Sequence, residues 1–152
     1  MVGCLVLLSH VPLAAKPYRG FTPLQSTRQD VIQKWGDGID PKRPGSRYIL
    51  ENEDVWFRYS DKDDFNECLR QLPPGLVLDI AVVPKSRVNI DSLVVDPKTV
   101  RTLLPSRDMP LTKAFIADEE GLVLSENNLG SNTVAQEIKY LPAKKDRTRC
   151  PS

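Results

Sequence analysis

Leu24-Gln25-Ser26-Thr27-Arg28-Gln29-Asp30-Val31-Ile32-Gln33-Lys34-Trp35-Gly36 reads as one short, capped helix. Ser26 and Thr27 can each serve as N-cap, a hydroxyl taking up a backbone N–H that the first turn leaves unpaired. Two capping boxes overlap, Ser26 with Gln29 and Thr27 with Asp30. The second puts a carboxylate in the first turn, where the helix dipole favours an anion. Gly36 ends the helix as the residue free to take the left-handed conformation, and Gly38 and Pro41 bar its continuation. Val31, Ile32 and Trp35 fall on one side. Two to three turns are not stable alone in water, so that side must pack on something.

Strands supply that something. Ser46 to Leu50 and Asp54 to Tyr59 form a hairpin around Glu51-Asn52-Glu53. In its second strand Val55, Phe57 and Tyr59 share one face, and Trp56 and Arg58 share the other. Alternation alone leaves open the reverse, with Trp56 under the helix and Phe57 outside. A polar segment from Ser60 to Gly75 follows. In Val77 to Val83, Leu78, Ile80 and Val82 alternate with Asp79 and Ala81, and Pro84 stops the strand.

Leu93 to Val95 could be a further strand, and Pro97 could open a short helix carrying Val100, Leu103 and Leu104. Lys113 to Ala117 and Leu122 to Glu126 make a second hairpin, and Val134 to Leu141 is the last strand, stopped by Pro142. The two hairpins resemble each other faintly, Arg47 to Phe57 against Lys113 to Val123. The expected fold class is α+β: an antiparallel sheet of about six strands in two meanders, with short helices packed on one face. One domain spans 16–142, in halves of about 20–84 and 89–142. Residues 143–152 are expected to be a basic, flexible tail.

Residues 1–15 read as a secretory signal peptide, since the apolar run from Leu5 to Leu13 has leader length and is too short to span a bilayer. No Lys or Arg precedes that run. A cut after Ala15 removes His10, the sole histidine, and with it serine–histidine, cysteine–histidine and histidine–metal chemistry. Cys4 leaves too, and Cys68 and Cys150 remain as a pair for one disulfide in an oxidising compartment, worth about 3–5 kcal/mol. The net charge of +1 implies no nucleic-acid-binding surface.

Pro23-Leu-Gln-Ser-Thr-Arg-Gln-Asp-Val31, with the later endings Tyr59-Ser60 and Val82-Val83-Pro84, resembles small secreted bacterial proteins carrying a Pro-Leu-x-Ser-Thr-Arg-x-Asp-Val helix. More distantly the first half is similar to the outer-membrane assembly lipoproteins and the tandem-repeat β-lactamase inhibitory proteins. The resemblance implies a capped helix feeding an antiparallel sheet, and an envelope or extracellular address.

No catalytic set emerges. Asp61, Asp63, Asp64, Asn66 and Glu67 form an acidic cluster, but Phe65 stands where a calcium loop needs its fifth oxygen and no Gly follows. Asp118, Glu119 and Glu120 make a hairpin turn. Ser26, Ser60 and Ser125 lack a histidine, Lys139 and Tyr140 form no acid–base set, and no phosphate loop, dinucleotide fingerprint or zinc spacing occurs. Trp56 and Arg58, of the types enriched in binding hot spots, are the candidate partner-binding residues. The expectation is a secreted or periplasmic monomer without metal, cofactor or integral membrane segment, which binds a protein partner. The alternatives are a small hydrolase using acidic residues and a small-molecule carrier with a pocket between helix and sheet.

Overall fold

A computed structural model describes residues 15–39, 45–64, 66–94, 96–104, 112–128 and 134–147. In chain order the elements are α1 (Arg28–Trp35), β1 (Gly45–Ile49), β2 (Glu53–Tyr59), α2 (Glu67–Arg70), β3 (Val77–Pro84), β4 (Arg101–Leu103), β5 (Thr112–Ala117), β6 (Leu122–Asn128), β7 (Val134–Tyr140) and α3 (Lys144–Arg147). The strands form one antiparallel sheet in the order β1-β2-β3-β7-β6-β5-β4. The α+β class holds. The count is seven strands in one sheet, not about six in two meanders, because β4 adds an edge.

The helix forms as its caps dictate. Asp30 N–H donates to Thr27 Oγ1 at 3.2 Å, and Thr27 N–H donates to Asp30 Oδ2 at 2.7 Å. Ser26 Oγ instead accepts from Thr22 N–H. Gly36 closes the helix at φ +75° and ψ −171°, a positive φ outside the left-handed helical region that was expected, its N–H bonded to Ile32 O. Just before the helix, Leu24 and Val77 exchange bonds with the strand, Leu24 N–H to Val77 O and Val77 N–H to Ser26 O, so the cap is stitched to the start of β3.

Val31 is fully buried, and Trp35 sits edge-on to Tyr18, Phe21, Tyr48 and Phe57 at 5.2–6.1 Å. Ile32 is only half-buried and outside this core cluster. Across the sheet the same core face carries Val55, Phe57, Ile80, Val82, Ile138, Tyr140, Leu122 and Leu124.

Three further expectations need correction. Leu78 does not share the core face with Ile80 and Val82. The register shifts between Arg58 and Tyr59, Tyr59 pairs with Val77, and Leu78 becomes the extra residue of a bulge. Leu93 and Val94, expected with Val95 to be a strand, follow a 3₁₀ turn at Ile90–Ser92 and join no strand, Val95 lying outside the described residues; Pro97–Thr99 is a single 3₁₀ turn that leads into β4 instead of a helix through Leu104. Finally, the tail is not free at its start. Ala143 is buried, Lys144–Arg147 is helical, and Arg147 Nη2 donates to Asp118 O at 2.9 Å. Only α1 lies on the core face; α2 and α3 sit beside Arg58 and Asp79 of the opposite one. Residues 1–14 lie outside the described residues, and Ala15, the last residue of the expected leader, is buried. No helix among the described residues is long and apolar enough to cross a membrane.

Candidate functional site

Antiparallel pairing places residues two apart on one face, so the face opposite the core can be read from the register. One row crosses all seven strands: Arg47, Trp56, Ala81, Lys139, Val123, Ile116 and Arg101. Six of its side chains are half-buried and Arg101 is exposed. Trp56 and Arg58 therefore do share a face, and it is the one turned away from Phe57.

The charges on this face are paired with one another, although Arg47 Nε and Asp54 Oδ1 are buried without a hydrogen-bond partner among the described residues. Arg47 Nη2 meets Asp54 Oδ2 at 2.9 Å while its guanidinium lies 5.0 Å from the centre of the Trp56 ring. Arg58 Nε donates to Asp79 Oδ2 at 2.6 Å, and Lys139 Nζ is 3.7 Å from Glu137. Beyond the row's end, Asp118 takes both Arg101 and Arg147; partial burial pulls its carboxyl pKa upward, but the two guanidiniums outweigh this and hold it below the usual range.

A shallow groove of about 650 Å³ runs over Trp56, Ala81, Val83 and Lys139 to Leu141. It adjoins a second cavity of about 300 Å³, lined by Leu24, Leu69, Leu72, Leu76, Leu78, Leu141 and Pro142. Arg58 and Asp79 line both, so the ion pair stands where the two meet. The bulge makes this possible, because it sends Leu78 to the same side as Asp79.

Alternation in the sequence put Trp56 and Arg58 on one face, as the register has them, and missed what lies next to them. Leu69 and Leu72 occur in the segment read as polar, and Leu76 just follows it; four leucines in ten residues, counting Leu78, were the available signal. Thr27, Asp30 and Gly36 act as caps, away from this face. Cys68 lies in α2 beside Leu69; Cys150 lies outside the described residues, and so does their pairing. Among the described residues no group of three potential ligands could hold a metal ion. Asp61 and Asp63 are exposed and spend their geometry on a local turn, Asp63 N–H to Asp61 Oδ1 at 3.4 Å. Carboxylates that reach the interior already have cations: Glu120 lies 3.8 Å from Lys16, and Glu53 accepts from Tyr18 and Arg19.

No protein family, curated protein or solved structure matches this chain, so the site is read from its geometry.

Proposed function

We propose that the protein is a non-enzymatic, exported interaction module, secreted or periplasmic, that docks a protein partner on the open face of its sheet. The observation carrying this reading is the junction at Arg58 and Asp79, where an aromatic shelf at Trp56 adjoins a leucine-lined cavity of about 300 Å³. A cavity of that size takes one large apolar side chain, and Trp and Arg beside it are the types that dominate binding energy. Paired charges around it favour a protein surface over a polyanion, since each cation would have to give up a carboxylate to take a phosphate. The export reading and a Cys68–Cys150 disulfide belong to the same proposal.

The carrier alternative loses its main support, because the space beneath Trp35 is filled by Tyr18, Phe21, Tyr48 and Phe57. The hydrolase alternative has no convergent pair of uncommitted carboxylates among the described residues.

The test is capture from envelope extract with the tagged mature chain and its Trp56→Ala variant. A partner retained by the wild type and lost by the variant, with both equally folded by circular dichroism, is the expected result. Equal retention, or no partner for either, sinks the reading.

A further inference from the structure

The core face has a second feature that interaction through Trp56 does not use. At the end of the sheet away from α1, Arg87 to Asn89, Asp91, Pro97 and Val100 face Phe115 of β5 and Leu124 of β6 where no helix lies. Gln136, 5% exposed, fixes Val88 there: its side-chain amide accepts from Val88 N–H at 2.7 Å and donates to Val88 O at 3.0 Å and to Glu126 Oε1 at 2.8 Å. The result is a preformed cavity of about 660 Å³ with Phe115, Leu124 and Val100 among its lining residues. That volume suits a small organic molecule.

The charges lining the cavity are uneven in their commitments. Glu126 takes the Gln136 amide and lies 3.7 Å from Arg87 Nη2, and Arg87 is 75% exposed. Lys113, directly across from Glu126 in the sheet, instead holds its ammonium 4.5 Å from the centre of the Phe115 ring. It has no ion-pair partner among the described residues. Asp91, exposed, is the other carboxylate on the cavity wall.

We infer that this cavity binds a small organic anion with a flat apolar body, an aryl carboxylate or sulfonate carrying one negative charge. The ring lies on Phe115 and Val100, above the buried Leu124, and the anionic group takes the ammonium of Lys113. Asp91 and Glu126 disfavour ligands of higher charge, such as nucleotides, by like-charge repulsion.

The probe is 2-naphthoate, titrated into the full chain and followed by calorimetry and by amide chemical shifts, with the neutral 2-naphthamide alongside. Naphthoate is expected to bind and to shift Val100, Phe115 and Leu124. Lys113→Gln should weaken naphthoate by about tenfold while leaving naphthamide, already the weaker ligand, unchanged. Trp56→Ala should alter neither, which separates this site from the partner-binding face. The inference falls if naphthoate moves none of these residues at millimolar concentration. It falls equally if Lys113→Gln binds naphthoate as the wild type does, if naphthamide binds as tightly, or if Trp56→Ala abolishes binding.

Discussion

Gly121, at the turn between β5 and β6, has φ +67°, and a Cβ there would run into the Leu141 carbonyl oxygen and lie 2.7 Å from that of Pro142. Both obstacles are backbone, pinned by Leu141 N–H donating to Gly121 O, so neither can swing away. Gly36 has a similar φ of +75° but nothing within 4 Å of a Cβ. Gly121→Ala is therefore expected to cost about 2–4 kcal/mol, strain plus collision, and Gly36→Ala about 1 kcal/mol, strain alone. Urea unfolding of the two variants checks this, and equal losses would refute the distinction. Tyrosines give the pH dependence. Tyr18, Tyr48, Tyr59 and Tyr140 are all buried, and burial is the first cause raising each phenol pKa, that of Tyr59 to about 12. A raised folded-state pKa means that the stabilisation is complete below the unfolded value near 10 and is lost as pH climbs through the folded one. Tyrosinate absorbance should rise together with loss of ellipticity above about pH 11. Tyrosinate forming at pH 10 in a still-folded chain would contradict it.

Elements with a strong local signal were legible in the sequence. Thr27, Asp30 and Gly36 carry the ends of α1 in their own chemistry, and alternation puts Val55, Phe57 and Tyr59 of β2 on one face, leaving the register to show that α1 covers it. What escaped was set by pairing rather than by local pattern. The bulge opposite Arg58 and Tyr59 exchanges the roles of Val77 and Leu78, and no feature of Val77 to Val83 announces it. Arg101, Thr102 and Leu103 are all exposed, so β4 has no alternation to read and exists because β5 offers it an edge. Likewise α2 and α3 are only four residues each and are held by what they cover. Both line the leucine cavity, α2 through Asn66 at its cap and Leu69, α3 through Asp146 and Arg147. The proposed Cys68–Cys150 bond would tie the chain that follows α3 to α2. The mature, unreduced protein is expected to show no thiol to iodoacetamide in urea, and two after reduction. Two reactive thiols before reduction would rule the bond out.

At the scale of the molecule, the seam between β3 and β7 decides whether there is one cooperative unit or two. Chain order alone presents two hairpin-plus-strand halves, yet the faint repeat does not survive in detail. It equates Phe57 of the core face with Val123 of the open one. A one-residue slip of that kind exchanges faces, so the halves share an outline and not a register. What joins them is the pairing of Ile80, Ala81 and Val82 with Tyr140, Lys139 and Ile138. Four of those side chains, Ile80, Val82, Ile138 and Tyr140, are buried in the common core. The open face crosses the same seam, from Trp56 and Ala81 to Lys139 and Val123, so it exists only while the halves are paired. Ile138→Ala is therefore expected to lower stability by about 2–4 kcal/mol and to shift unfolding of both halves together. The chain contains the reporter needed: both tryptophans, Trp35 and Trp56, belong to the first half. Tryptophan fluorescence thus follows that half, and far-ultraviolet circular dichroism follows the whole sheet. Coincident urea transitions by the two probes, moved equally by Ile138→Ala, are the expected outcome. A fluorescence transition that stays in place while the dichroism transition moves would show that the first half stands alone, and the partner-binding face would then have to be sought within β1, β2 and β3.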